Sequence, residues 1–210
     1  MKPNIDYTLY LVTDQELMVA ESLDICVEQA VKGGCTVVQL REKTASSLEF
    51  YNTALRLKKL TVSLGVPLII NDRVDIALAV DADGVHIGQG DLPYDAARRL
   101  MGPEKIIGIS ASNLTEAIAA DEQGADYIGV GAMFATGTKT DAALTSLEEL
   151  RMIRQSVGLP IVVIGGINKE TIPFFHGIDI KGIAVVSAIV SQKDPAKAAK
   201  ELKSLFMDSR

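Results

Sequence analysis

Charged and amide side chains stand in short clusters directly after apolar runs, and the residue types in those clusters suit phosphate and metal chemistry. The first cluster reads Gln39-Leu40-Arg41-Glu42-Lys43. If an extended strand carries it, a period of two puts Gln39, Arg41 and Lys43 on one face. The two cations then stand about 6 to 7 Å apart, a spacing that suits a diphosphate. The second cluster, Asn71-Asp72-Arg73, follows the wholly apolar Leu68-Ile69-Ile70. An amide and a carboxylate at the end of a buried strand cost free energy unless they bind something. The third is Gly88-Gln89-Gly90-Asp91. Asp72 and Asp91, on neighbouring loops beside a basic strand end, form a pair that suits magnesium. That hard cation takes few protein ligands and completes its shell with phosphate oxygens. The first and third clusters also have a structural reading: residues 39–43 as a salt-bridged strand end, and Asp91 as the N-cap of a helix starting at Leu92-Pro93.

Further along the chain, Ser110 ends another apolar run, and Ala135-Thr136-Gly137-Thr138-Lys139-Thr140 forms a small, hydroxyl-rich segment with one cation. Such a segment reads as a lid that delivers hydroxyls and a positive charge on closing, or as an ordinary flexible loop. It is not a P-loop, because its order is Gly-Thr-Lys rather than Gly-Lys-Thr. Gly165-Gly166-Ile167-Asn168 and Val186-Ser187-Ala188-Ile189 suit a phosphate held by backbone N–H groups. Together the clusters make two anion sites, one cationic and metal-linked and one built from backbone, and so imply two phosphorylated substrates.

What positions these clusters is a repeat. Eight short β-branched runs recur: 7–13, 35–41, 66–71, 83–88, 105–110, 126–131, 160–166 and 181–187. Segments with helical spacing lie between them, such as Leu48, Tyr51, Leu55 and Lys59, or Leu147, Leu150, Ile153 and Arg154. Alternation of this kind implies parallel strands covered by helices. At 210 residues each unit has about 26, compact for a single (β/α)₈ TIM barrel but within its range. An open doubly wound sheet is the alternative; uniform short strands and the lack of a Lys- or Pro-rich edge strand favour the closed barrel. In barrels the reactive groups come from the C-terminal strand ends, where all of these clusters fall. Gly33-Gly34, Gly65, Gly124 and Gly158 precede strands and read as left-handed helix C-caps. His86 lies within the fourth run, as a satisfied polar core residue or a pocket wall.

Composition bounds the rest. The chain reads as one domain over 1–210, with 48% hydrophobic and 23% charged residues. A net charge of −6 disfavours a broad nucleic-acid surface, so no nucleic-acid partner is expected. No apolar run reaches the roughly 20 residues of a spanning helix, and MKPNIDY lacks a signal peptide's order; the expectation is a cytoplasmic protein without a membrane partner. Cys26 and Cys35 lack C-x-x-C spacing and read as buried thiols, and His86 and His176 cannot complete a zinc cluster with them. A homo-oligomer is compatible with the sequence, which does not report one.

The set QLREK (39–43), IINDR (69–73), GVHIGQGD (84–91), DYIGVG (126–131), TGTK (136–139), IGGI (164–167) and VVSAI (185–189) resembles the thiamine phosphate synthase family. The likeness runs in order along nearly the whole chain, and QLREK, ND and GQxD at these spacings are specific. The resemblance implies a transferase that joins a hydroxymethylpyrimidine diphosphate to a hydroxyethylthiazole phosphate, giving thiamine phosphate and pyrophosphate. It further implies that Gln39, Leu40, Arg41, Glu42, Lys43, Asn71, Ser110 and Lys139 hold the pyrimidine diphosphate. Thr136, Gly137, Thr138, Gly166, Val186 and Ser187 would hold the thiazole phosphate, and Asp72 and Asp91 one magnesium ion per subunit. Arg41, Lys43, Ser110 and Lys139 would take part in the chemistry itself. The expected mechanism is dissociative, with the leaving diphosphate stabilised electrostatically and water excluded from a pyrimidine methylene cation. The sequence departs from the family at Gly137, where threonine is usual, and at Ala132 and Ala135, near which proline is usual. Two rivals stand beside this reading. A thiazole tautomerase of the same superfamily would not need Arg41, Lys43, Asp72 and Asp91, and a non-catalytic sensor of thiamine intermediates would not need a full set of charged tips.

Overall fold

Each of the eight apolar runs forms a strand. In the computed structural model, which describes residues 2, 4–135 and 144–209, β1 spans Leu9–Val12, β2 Val37–Leu40, β3 Leu68–Asn71 and β4 Gly84–Ile87. The second half supplies β5 (Ile106–Ala111), β6 (Tyr127–Val130), β7 (Ile161–Ile164) and β8 (Gly182–Val185). All neighbours pair in parallel and β1 bonds to both β2 and β8, so the sheet closes in sequence order. The chain forms the expected (β/α)₈ barrel, and closure removes the open-sheet alternative together with its edges.

Helices α1 (Leu23–Lys32), α2 (Ser47–Leu64), α3 (Val74–Ala79), α4 (Tyr94–Met101), α5 (Leu114–Gln123) and α6 (Leu147–Ser156) cover the strands in turn. A 3-10 turn, Ile172–Phe175, takes the place of a helix between β7 and β8; α7 (Ser187–Val190) and α8 (Pro195–Asp208) follow β8. Local sequence sets the helix starts. Ser46 and Glu49 form a reciprocal capping box on α2, and Ser22, Asn113 and Ser146 cap α1, α5 and α6. Gly65 and Gly124 are the expected left-handed caps. Gly33 is not: its φ is −75°, and it is glycine because a Cβ there would stand 2.2 Å from the Ala196 carbonyl oxygen of α8. Gly158 is likewise not left-handed, since α6 ends at the extended Val157.

Strand periodicity sorts the core into two layers. Leu9, Leu11, Val38, Leu40, Ile70 and Val85 face the helices, where burying each side chain contributes about 1.5 to 3 kcal/mol. Tyr10, Val12, Val37, Ile69, Ile106, Tyr127, Val162 and Ala184 fill the barrel interior. Aromatic rings fit there because glycines stand opposite them. A Cβ on Gly108 would lie 2.2 Å from Cζ of Tyr127, and one on Gly129 would lie 3.0 Å from Cε1 of His86. The tyrosines plug the barrel's middle and set a floor beneath its mouth.

A charged network closes the opposite, N-terminal end. Asp126 Oδ2 accepts from Arg98 Nη2 at 2.7 Å and from the Ile107 N–H at 2.8 Å, and Lys2 bonds Oδ1 at 2.6 Å. Arg98 also donates to the carbonyls of Gly102 and Lys105, so one side chain ties α4 to the starts of β5 and β6. Replacing Asp126 with alanine leaves a largely buried guanidinium and a backbone N–H without their acceptor. Urea unfolding of Asp126→Ala is expected to show a loss of about 3 kcal/mol. A loss under about 1 kcal/mol would show that water replaces the carboxylate without penalty.

Cys26 and Cys35 are buried free thiols, as expected, and burial pushes both thiols up. Among the described residues no helix is long and apolar enough to cross a membrane.

Candidate active site at the strand tips

The inward parity that places Tyr10 and Tyr127 also places Gln39, Asn71, His86 and Ser110 one step nearer the C-terminal ends of their strands. Gln39 is buried, and its Nε2 donates to Tyr10 Oη at 2.9 Å. Tyr10 Oη and Tyr127 Oη lie 2.8 Å apart, Tyr127 Oη bonds His86 Nδ1 at 2.9 Å, and His86 Nε2 bonds Ser110 Oγ at 2.9 Å. His86 is thus a satisfied polar residue of the barrel interior, both of its ring nitrogens being bonded. Burial holds its imidazole down to about 4 against the opposing charge of Asp72, so it is neutral at pH 7. Leu40 has the other parity: its side chain packs outward against the helices, and only its backbone faces the mouth.

The basic cluster is arranged differently from an extended strand end. Because β2 stops at Leu40, Arg41 and Lys43 leave the strand's period and diverge. The Arg41 N–H turns to Thr13 Oγ1 and its Nη1 to Asp14 Oδ2, both at 3.1 Å, which draws the guanidinium towards β1. Lys43 instead crosses to β3, its Nζ 2.6 Å from Asp72 Oδ2. Glu42 accepts from Gln15 at 2.6 Å, and burial pushes its carboxyl up. The two cations therefore flank the tip of β2 as separate anchors.

Asp72 adopts φ 65°, a left-handed conformation that Asp tolerates better than most residues, and its N–H donates to the His86 carbonyl at 2.8 Å. This local turn lifts the carboxylate off the end of β3 towards the mouth. Asp91 is not the N-cap of α4, which starts at Tyr94 after Pro93. Its Oδ2 accepts from the Gly88 N–H at 2.7 Å, folding the loop after β4 so that the carboxyl faces Asp72. Burial pushes the Asp91 carboxyl up and the Asp72 charge adds to the rise; the Gly88 N–H and Lys43 oppose it. Two carboxylates aimed at one another repel unless a proton or a cation joins them. Asp72 and Asp91 offer carboxylate oxygens, the donor type a hard divalent ion takes, while no group of three or more His, Cys, Asp and Glu that could hold a metal occurs among the described residues.

Asn71 ends β3 beside His86 in register. Across the mouth, Gly165 and Gly166 have φ of 95° and 66° and let the β7 turn press on the segment after β6. A Cβ on Gly166 would stand 2.7 Å from that of Phe134. Val186 packs against the interior layer, and Ser187 is exposed at the start of α7. Thr136, Gly137, Thr138 and Lys139 lie outside the described residues.

Three participants escaped the sequence reading, Tyr10, Tyr127 and Asp14, and Gln89, quoted in the third cluster without a role, bonds the Ser110 carbonyl through Nε2 at 2.7 Å. The tyrosines read as ordinary strand residues. Their parity with Gln39 and Ser110 was the available signal.

A family profile described as thiamine monophosphate synthase matches residues 9–189. The chain is 58% identical over 207 residues to a thiamine-phosphate synthase of Clostridium beijerinckii, with 99% of each chain covered. It is 56% identical over 208 residues to one of Ruminiclostridium cellulolyticum, again with 99% of each covered. Among solved structures it is similar to a thiamine phosphate pyrophosphorylase from Pyrococcus furiosus, with a TM-score of 0.89, 40% identity and 97% of each chain covered. KGPDC from Streptococcus mutans, at 15% identity and a TM-score of 0.71, shares the fold.

Proposed function

Because the chain belongs to the thiamine monophosphate synthase family, we propose that its barrel mouth carries out a magnesium-assisted, dissociative substitution between two phosphorylated substrates. The activity is that of a thiamine-phosphate synthase, a transferase of thiamine biosynthesis. Its substrates are a hydroxymethylpyrimidine diphosphate and a hydroxyethylthiazole phosphate, and its products are thiamine phosphate and pyrophosphate. The observation that carries the metal and mechanism is the facing pair Asp72 and Asp91 with Lys43 bonded to Asp72. That constellation serves a diphosphate and its cation, and neither a tautomerase nor a sensor needs it.

Asp72 and Asp91 would hold one magnesium ion, which when bound supplies a Lewis acid that neutralises the diphosphate and eases departure of pyrophosphate. Lys43 is bonded to Asp72, and were that carboxylate to hold the metal, the ammonium would be free for a phosphate oxygen. Arg41 approaches from the β1 side, and Lys139, by its place in the sequence, adds a third cation as charge grows on the leaving group. Gln39, Asn71 and Ser110 orient the pyrimidine against the floor. The backbone of residues 40–43 lines the diphosphate. Gly166, Val186 and Ser187, with Thr136, Gly137 and Thr138, take the thiazole phosphate, whose ring nitrogen captures the pyrimidine methylene cation. No general base is needed, since the thiazole nitrogen that captures the cation has no proton to lose. We place the enzyme in the cytoplasm, working on small molecules.

Incubation with both substrates and magnesium tests the reading: thiamine phosphate and pyrophosphate are expected in equal amounts, and neither when one substrate is omitted. Isomerised thiazole phosphate without pyrophosphate would point to the tautomerase. Binding without any product would point to the sensor.

A further inference from the structure

The polar chain beneath the mouth has a direction. Gln39 Nε2 can only donate, so Tyr10 Oη accepts from it, and the single Tyr10 proton must go elsewhere. Its other partner is Tyr127 Oη. If Tyr10 donates to Tyr127, then Tyr127 donates to His86 Nδ1, His86 carries its proton on Nε2, and that N–H donates to Ser110 Oγ. Every proton then has an acceptor, and the Ser110 hydroxyl keeps its own proton free for the mouth. Running the chain the other way, from Ser110 through His86 and Tyr127 to Tyr10, brings two donors to Tyr10 Oη. It strands the Tyr10 proton in a residue that is 1% exposed. A buried hydroxyl left that way costs about 1 to 3 kcal/mol, and the reverse order escapes that cost only by flipping the Gln39 carboxamide to turn Oε1 onto Tyr10.

We infer that Tyr10, Tyr127 and His86 are positioning residues that fix the polarity of the pyrimidine pocket, holding Gln39 as an acceptor and Ser110 as a donor. One of the two Gln39 amide N–H groups is committed to Tyr10, which fixes the carboxamide with Oε1 turned away from Tyr10 and available as an acceptor. Ser110 Oγ already accepts from His86 and offers its O–H. An aminopyrimidine edge, with an exocyclic N–H donor and ring-nitrogen acceptors, matches that pair, whereas a 4-oxopyrimidine, with acceptor and N–H exchanged, opposes it. The inference rests on the reading that Gln39 and Ser110 meet the pyrimidine, and it adds how the enzyme tells an amino from an oxo ring. None of the three residues has to touch the reacting carbon.

Two measurements test it. In ¹⁵N-labelled wild-type protein, ring-nitrogen shifts report the tautomer of each histidine, and only two are present. His86 is expected as the Nε2–H form. His176, whose Nδ1 faces the Ser209 carbonyl at 2.9 Å, is expected as the opposite form and serves as an internal contrast. An Nδ1–H form at His86 would overturn the direction, and this result needs no variant to fold. The second measurement is binding of two inert methylene-bisphosphonate analogues of the pyrimidine diphosphate, one 4-amino and one 4-oxo. Binding is read rather than turnover because the amino group also donates electrons to the reacting carbon. Wild type should prefer the amino analogue by about 100-fold. Tyr127→Phe frees Tyr10 to donate to Gln39, lets the carboxamide flip, and should cut the preference to less than about 10-fold. An unchanged preference in Tyr127→Phe would overturn the inference while sparing the proposed function. If wild type binds both analogues no more tightly than methylene bisphosphonate alone, the placement of the pyrimidine fails, and the inference with it.

Discussion

Replacing Asp72 with asparagine is expected to lower turnover by about 10³-fold or more at saturating magnesium, with little change in stability. Asparagine is the informative choice because position 72 has φ 65°. Asn tolerates that backbone as well as Asp does, whereas alanine would add strain of its own. The substitution removes one negative charge and keeps shape and conformation. Its effect is read by steady-state pyrophosphate release across a magnesium titration, with thermal melting as the control. Asp72→Ala should show the same kinetic loss with a further destabilisation of about 1 kcal/mol. Wild-type rates in Asp72→Asn, sustained in the presence of a chelator, would remove the metal from the mechanism. Asp91→Asn is expected to weaken magnesium binding less, because the Gly88 N–H already satisfies part of that carboxylate.

A second large effect is expected on the fold. Gly108→Ala would place a Cβ 2.2 Å from Cζ and 2.5 Å from Oη of Tyr127. The ring cannot retreat, since Tyr7, Tyr10 and His86 stand around it at centroid distances of 4.8, 5.9 and 5.4 Å. Overpacking of this kind should cost about 3 kcal/mol or more. For a chain of 210 residues that is a fall in melting temperature of about 6 to 12 °C. Tyr127→Leu, which gives the new methyl somewhere to go, should make the double variant less destabilised than the two single losses added together. Additive losses would mean that the methyl is accommodated by moving β5 rather than by moving the ring.

These two cases also show what a single sequence reveals and where it stops. The barrel was legible because each strand is a β-branched run with a parity, and because parity survives in any register that buries Ile69, Ile106 and Val162. Tip clusters were legible for the same reason: Asn71, Asp72 and Ser110 are polar where the run ought to stay apolar. Geometry beyond the last strand residue was not. The divergence of Arg41 and Lys43 depends on partners about 28 residues away, Asp14 on one side and Asp72 on the other. Asp91 was ambiguous because Pro93 can begin a helix or precede one, and only the bond from the Gly88 N–H decides between them. The floor network went unread because Tyr10 and Tyr127 pass for ordinary strand aromatics. What gives them a task is Gly108, a residue whose significance is the space it leaves.

The most direct test of the central claim, that the tips of β3 and the loop after β4 form the metal and diphosphate site, is to locate both ligands at once. Crystals of the protein grown with pyrophosphate and manganese, a stand-in for magnesium with an anomalous signal, would serve. One anomalous peak per chain is expected between Asp72 and Asp91, with the pyrophosphate bridging it to Arg41 and Lys43. A metal peak elsewhere, or a pyrophosphate bound at Gly166 and Ser187 with Lys43 still on Asp72, would contradict the account.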